Sequence, residues 1–389
     1  MVLTGGLLWA RAVAAPEISD PTGAALPPSL HLTAPWPYVL FAPLFTSWDS
    51  ITMLSQSRLE AFLLGLPILY LLYRGMVAMA ARHWNWGREA RLLGLSVMGL
   101  VVFLSAGLLW HRPMMALAGV PADLIVADLH SHTNVSHDVR NTLMRGYDAA
   151  ANLRWHRRAG FDAVFITDHN TVEGLGPPAR NPARCPGIEV SAWKSHIVLL
   201  GDSLPVDRSR YNGSLEELET LLTTTHSAYG ALSLLSLPEF DRNHWQRLDT
   251  LVAAGADGFE IVNASPKAAE FSVGHRDAVI ALARRTNRFV AGVNDSHGWG
   301  ATSLAWNLIA APGWRNAGDP CTLILERLRT GFTSNQIVER HHLRAESAWP
   351  PWLTPIGAVW EMWRSMGTPL LLSWLGWTWA VWAIRRARS

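Results

Sequence analysis

Apolar positions follow two patterns along this chain. Before residue 111 and after residue 351 they form long, nearly unbroken runs; between those limits short apolar runs alternate with amphipathic stretches. Leu59–Tyr73 is apolar except for Glu60, about fifteen residues that reach Ala81 if Arg74 snorkels. Leu92–Trp110 is nineteen residues without a charge, and Gly367–Ile384 is eighteen, ending at Arg385-Arg386. These lengths approach the ~20 residues that cross a bilayer as a helix. Trp84, Trp86, Trp110, Trp360 and Trp363 flank the runs as an interfacial belt would.

Arginine orients them. Arg74, Arg82, Arg88 and Arg91 surround the first connector, and Arg385, Arg386 and Arg388 form the tail. The positive-inside rule places both in the cytoplasm and the region between the second and third runs on the extracytoplasmic (periplasmic) side. The expected organisation is an N-terminal segment over 1–57, two membrane helices and their connector over 58–111, a globular domain over 112–350, and an interfacial segment with a third span over 351–389. Leu3–Leu8 and the small residues before Pro16 leave a signal peptide, a truncated span and a disordered start all open. Ala34–Phe45, interrupted by prolines, reads as interfacial.

Within 112–350 the pattern predicts alternating strands and helices. Apolar runs at Leu124–Ala127, Asp162–Ile166, Leu232–Leu237, Gly258–Asn263 and Arg288–Val293 read as strands. Thr142–Gly160, Trp245–Ala254, Ala268–Thr286 and Leu323–Arg329 read as helices, and Ser214-Leu-Glu-Glu217 is a capping box opening a helix through His226. Such alternation argues for a parallel sheet.

Chemistry gathers at the strand ends. Leu124–Ala127 runs into Asp128-Leu-His-Ser-His132, where His130 and His132, two apart, face one way. His137 and Asp138 follow in the same loop. The second strand ends in Asp168-His169, a short strand carries Glu189, another begins at His196, and Arg288–Val293 ends in Asp295 and His297, again two apart. Imidazole and carboxylate together suit Zn, Mn or Fe, and the C-terminal ends of strands are where α/β barrels build sites.

The order Asp128-Leu-His-Ser-His-Thr, Ile166-Thr-Asp-His-Asn170, Gly187-Ile-Glu189, His196 and Asn294-Asp-Ser-His297 resembles the PHP (polymerase and histidinol phosphatase) family over about residues 121–340. The resemblance implies a distorted (β/α)7 barrel with two or three divalent metal ions in its mouth and hydrolysis of phosphate esters. It implies that His130, His132, Glu189 and Asp295 hold one ion, that Glu189 bridges to a second bound by His196, and that a third takes His169, His297 and either His137 or Asp138. One departure stands out: where the family pattern has Ala-His-Pro, this chain reads Ser236-Leu-Pro238. The second ion then lacks a ligand unless Glu239, His226, His244 or water replaces it.

The activity expected is metal-dependent phosphoester hydrolysis by activated water. Asp168, Glu189 and His196 are the candidate catalytic residues, with Asp168 orienting an imidazole from behind. Lys194, Lys267, Arg276 and Asn263 are candidates for gripping substrate. Two further readings remain: a carbamate or carboxyl-ester hydrolase on the same metals, and a membrane receptor or scaffold that has lost activity through Leu237.

Composition adds exclusions. Formal net charge is +2, Lys194 and Lys267 are the only lysines, and no basic run with interleaved aromatics occurs in the middle region, so no nucleic-acid partner is expected. The partners expected are a phosphate-ester substrate and the lipid bilayer. Cys185 and Cys321 are read as two separate buried thiols, with a disulfide open to an extracytoplasmic domain.

Overall fold

The computed structural model describes residues 2–81, 85–201, 205–316 and 319–388. Two proposed elements of the first connector, Arg82 and Trp84, lie outside the described residues.

Among the described residues there are twelve strands: β1 Ile18–Ser19, β2 His31–Thr33, β3 Ala116–Ala118, β4 Leu124–Asp128, β5 Ala163–Ile166, β6 Ala183–Ala192, β7 Ser195–Leu200, β8 Leu232–Leu235, β9 Gly258–Asn263, β10 Phe289–Val293, β11 Ala305–Ala310 and β12 Asn335–Arg340. Ten form one curled half-barrel sheet in the order β1-β12-β11-β4-β5-β6-β7-β8-β9-β10, and β2 pairs with β3 apart from it. The parallel sheet expected from the alternation is thereby corrected to a mixed one. β4, β5 and β6 are parallel, as are β8, β9 and β10, but β7 is antiparallel to both neighbours and β11 to both of its own. The cause is local. β6 and β7 are joined by Trp193-Lys194 alone, with Lys194 at φ 59, and two residues make a hairpin but never a crossover.

Asparagine side chains stitch β10 to β11 and β12. Asn307 accepts from the Gly292 N–H (3.1 Å) and donates to the Gly292 carbonyl (2.7 Å), and Asn335 donates to the Val290 carbonyl (2.9 Å). Gly292 is required there, because a Cβ would lie 2.7 Å from Ile337 and 2.9 Å from Ala305.

The helices are shorter than the periodicity suggested. The expected helix over 142–160 begins only at Ala149, where Asp148 caps it, and Ser272 restarts the 268–286 segment as Val273–Thr286. The capping box at Ser214 forms and opens Leu215–Thr224.

Residues outside the sheet pack into it. One apolar core contains Leu7, Tyr38, Phe45 and Trp48 together with Val126, Trp306, Val338, Trp363 and Leu370. The start of the chain is therefore an ordered helix, Val2–Ala12, lodged against the C-terminal helices, and the disordered start is overturned. A buried charge cluster joins the same parts. Asp49, fully enclosed, takes the Tyr38 hydroxyl at 2.7 Å, Arg340 at 2.9 Å and Arg112 at 3.1 Å.

Among the described residues two helices are long and apolar enough to cross a membrane, Gln56–Ala80 and Trp86–Leu109, and few residues of either are buried. Arg74 does not stand alone: its guanidinium forks onto Glu89 of the second helix at 2.7 and 2.5 Å. The third run is helical over Thr368–Ala387, with Leu370 and Leu371 buried against the body. Its tryptophans and terminal arginines make it less apolar than the other two.

Cys185 on β6 and Cys321, the second residue of helix Pro320–Leu328, form a disulfide with Cα atoms 5.4 Å apart. The expectation of two separate thiols is corrected. Their 136-residue separation carries no pairing signal, and only the packing of that helix behind β6 brings them together.

Candidate metal centre

The site lies at the end of the sheet where β4, β5, β8, β9 and β10 finish. His130 and His132 follow β4, and their Nε2 atoms lie 3.0 Å apart. Glu189 Oε2 from β6 is 3.3 Å from each. Asp295 Oδ1, after β10, is 3.5 Å from His130 Nε2 and 3.1 Å from His132 Nε2. A cation at about 2.0–2.1 Å from four such atoms would set them about 3.4 Å apart at the corners of a tetrahedron. The five edges measured, 3.0–3.5 Å, fit that figure. Glu189 Oε2 and Asp295 Oδ1 are also buried without an aligned hydrogen-bond donor, which burial alone would penalise. The donor set therefore fits a divalent ion. Asp295 is held at φ 46, a conformation unusual for a residue with a side chain and found where a site demands it.

Two further groups adjoin this quartet. Glu189 Oε1 is 3.2 Å from His196 Nδ1, while His169 Nδ1 is 3.1 Å from Glu189 Oε2. On the other side Asp138 Oδ2 lies 3.1 Å from His169 Nε2 and 2.6 Å from His297 Nε2, near His132. Of the two loop residues left open, Asp138 joins the cluster. His137 is exposed at the start of a one-turn helix, its ring beside that of His169 at 5.0 Å.

The surroundings tune these groups. Burial opposes charge on His130, but Glu189, Asp295 and Glu260 outweigh it and raise its pKa well above the usual 6.5. Burial, with His297 adding to it, lowers His132 to about 4. His196 and His297 are each raised to about 9 against their burial, the first chiefly by Glu189 and the second by Asp295 and Asp138. Burial also works against the charge on Glu189, yet His130 and His169 hold it well below the ordinary carboxylate range.

The position opposite Leu237 resolves simply. Leu237 is buried and contributes backbone alone: its N–H donates to Glu260 Oε2 at 3.0 Å and its carbonyl accepts from Asn263 at 3.3 Å. Glu239, two residues on, brings Oε1 to 4.0 Å from His196 Nδ1. His226 instead pairs with Asp257 at 3.0 Å, and His244 packs beside Trp193. Glu239 is thus the one of the three named substitutes that reaches the cluster.

Two other expectations change, and one residue was missed. Asp168 accepts from the Thr133 N–H (2.6 Å) and hydroxyl (2.7 Å) rather than from an imidazole, so it braces the His132 loop. Gly174 makes room for it, since a Cβ there would sit 1.8 Å from Asp168 Oδ2. The residue that does back an imidazole is one the pattern did not single out. Glu260 of β9 lies 2.7 Å from His130 Nδ1, so with a cation bound the proton would stay on Nδ1 and Nε2 would face the cluster. Its only signal was a carboxylate in mid-strand among apolar neighbours. Arg276 is not free for substrate, being buried against Glu339 at 3.0 Å, with Arg344 on the same carboxylate. Asn263 reaches the wall of the site, donating to Glu260 at 2.9 Å and Asp295 at 3.3 Å. Lys194 and Lys267 are exposed, on the β6–β7 turn and the loop after β9.

No family model matches this chain, and no curated protein matches it. Among solved structures, the chain is similar to PsfC from Pseudomonas syringae, with 17% identity, a TM-score of 0.40, and coverage of 62% of this chain and 98% of that one. It is also similar to a candidate metal-dependent phosphoesterase from Bifidobacterium adolescentis, with 15% identity, a TM-score of 0.33, and coverage of 45% and 88%.

Proposed function

We propose that this protein is a membrane-anchored, metal-dependent phosphoesterase of the PHP type. The observation that carries the reading is the Glu189 carboxylate, whose two oxygens face two different imidazole groups, one in the His130, His132 and Asp295 quartet and one at His196. A carboxylate so shared is what adjacent cations need. Asp138, His169 and His297 offer a third set. Bound divalent ions would supply a water of lowered pKa and polarise a phosphoryl oxygen. The chain's own contribution is orientation. Glu260 fixes the His130 tautomer, the Asp295 carbonyl fixes that of His297 (2.7 Å), and Asn152 holds the His132 carbonyl (2.8 Å). Glu239 supports activity despite Leu237, since it supplies a carboxylate beside His196. Lys194 and Lys267, both exposed, are the lysines proposed to meet an anionic substrate.

The anchor is the hairpin Gln56–Ala81 and Trp86–Leu109. Residues before and after it share one core, which supports their lying on one side of the bilayer. Arg88, Arg91 and the tail arginines favour the cytoplasm for the connector and tail and the extracytoplasmic side for the metal centre, with Thr368–Ala387 as a third span. The test is metal analysis of detergent-purified protein, coupled to an aryl-phosphate assay with Mn or Zn. Turnover that vanishes in His132→Ala supports the reading; a metal-loaded protein inert on every phosphoester sinks it.

A further inference from the structure

The loops that build the metal centre also hold the two long apolar helices. Asn263 ends β9 within 3.3 Å of Asp295. Three residues later the Pro266 carbonyl accepts the N–H of Gln56 (2.9 Å), the first residue of the first helix. Glu270 accepts from the Ser57 N–H and hydroxyl at 2.5 and 2.9 Å. At the neighbouring strand, two residues beyond His297, Trp299 lies against His111 with ring centroids 4.0 Å apart and the rings tilted by 35°. Next is Gly300, where a Cβ would lie 2.3 Å from Leu108, one residue from the end of the second helix. Three residues reach at most about 11 Å, so with the short step from Gly300 to Leu108 the cluster residue His297 sits within about 15 Å of the helix end.

The topology sends the other apolar segments to the same face. β12 ends there at Arg340 and leads toward Thr354–Arg364 and Thr368–Ala387, and β1, antiparallel to β12, begins there after Val2–Ala12. The rim agrees. The loop carrying Asp138 continues through Arg140, Leu143 and Arg145, all exposed, Leu143 to 72%. An apolar tip between two guanidiniums is the composition of a segment that rests on lipid headgroups.

From these contacts we infer that the substrate is a phosphate ester carried on a membrane lipid, presented to the centre from the leaflet in which the hairpin is seated. This rests on the phosphoesterase reading above and on the hairpin's lying in a bilayer. In the reaction the oxygen of water bonds to phosphorus and the P–O bond to the lipid alcohol breaks. One water proton goes to the departing alkoxide, and the other stays with the phosphate. A mouth set against the span meets headgroups directly, whereas a dissolved ester must enter beside the membrane surface.

The experiment uses the full chain in phosphatidylcholine vesicles with Mn, and two probes that share one reacting group: 4-nitrophenyl phosphate and an aryl phosphate bearing a hexadecyl chain. The expected result is a kcat/KM for the chain-bearing probe higher by about 100-fold or more, and a ratio lowered about tenfold by Leu143→Asp. Equal rates, or faster turnover of the soluble probe, overturn the inference and leave the phosphoesterase reading standing. Turnover of neither probe by metal-loaded protein removes both. Release of the protein from vesicles by alkaline carbonate overturns the inference through its bilayer premise.

Discussion

Glu260 Oε1 lies 2.7 Å from His130 Nδ1, with both side chains buried. One carboxylate outside the metal cluster thereby decides which face of the imidazole is available to it. Burial pushes Glu260 up to about 7, and removing its charge-accepting oxygen should loosen the ring. Glu260→Gln is expected to weaken metal binding about 10–100-fold, as loss of such a supporting partner does. Isothermal titration with Mn or Zn measures it, and an unchanged affinity argues against the role.

Glu239 is expected to matter only near His196. Glu239→Ala should lower the metal content of saturated protein by about one ion, while the quartet around His130 and His132 keeps its own. Inductively coupled plasma analysis of Glu239→Ala beside His132→Ala reads the difference. Identical losses in both variants would contradict the separate placement.

The metal-free protein should show a pH-dependent stability set by His196 and His297, both raised to about 9. A raised histidine contributes fully below its unfolded value of about 6.5 and loses that contribution as pH rises through the folded value. The thermal midpoint of chelator-treated protein is therefore expected to fall between about pH 6.5 and 9. Metal-loaded protein should not follow it, because coordination already requires neutral imidazoles. Scanning calorimetry across that range compares the two forms.

Asp49 pairs with both Arg340 and Arg112 where neither is exposed, one negative charge against two positive. Asp49→Ala leaves two buried guanidiniums facing each other and is expected to destabilise the protein by about 3–5 kcal/mol. Denaturation in detergent micelles measures it. A loss below about 1 kcal/mol would show that water reaches the cluster.

Cys185 and Cys321 close a long loop between β6 and helix Pro320–Leu328. Cys321→Ser is expected to cost about 2–5 kcal/mol relative to the oxidised protein. Thiol titration of the denatured wild type without reductant should find no free thiol, and two thiols would refute the bond.

Much of the site was legible because strand periodicity speaks directly about direction. His130 and His132, and Asp295 and His297, stand two apart at strand ends, so each pair projects together. Glu189 and His196 lie diagonally across the β6–β7 hairpin, His196 opposite Ser191, so their side chains meet although seven residues apart in sequence. What stayed hidden depends on tertiary placement. Glu260 looks like any strand carboxylate until β9 is laid behind His130. Arg276 looks free until Glu339 arrives from β12. The antiparallel β7 was obscured because its tight turn uses Lys194 in the left-handed region instead of glycine. The choice between His137 and Asp138 needed the one-turn helix that swings the first outward and the second in.

The pairing of β1 with β12 sets Ile18 against Arg340. Contacts so distant in sequence delay closure of the fold. During synthesis the sheet cannot receive its edge strand until nearly the whole chain has left the ribosome, so the first strand must wait, unpaired, while the hairpin and every metal-binding loop are made. Until β12 emerges the nascent protein carries β1 without its partner, and chaperone dependence should track the emergence of β12 more closely than the metal site.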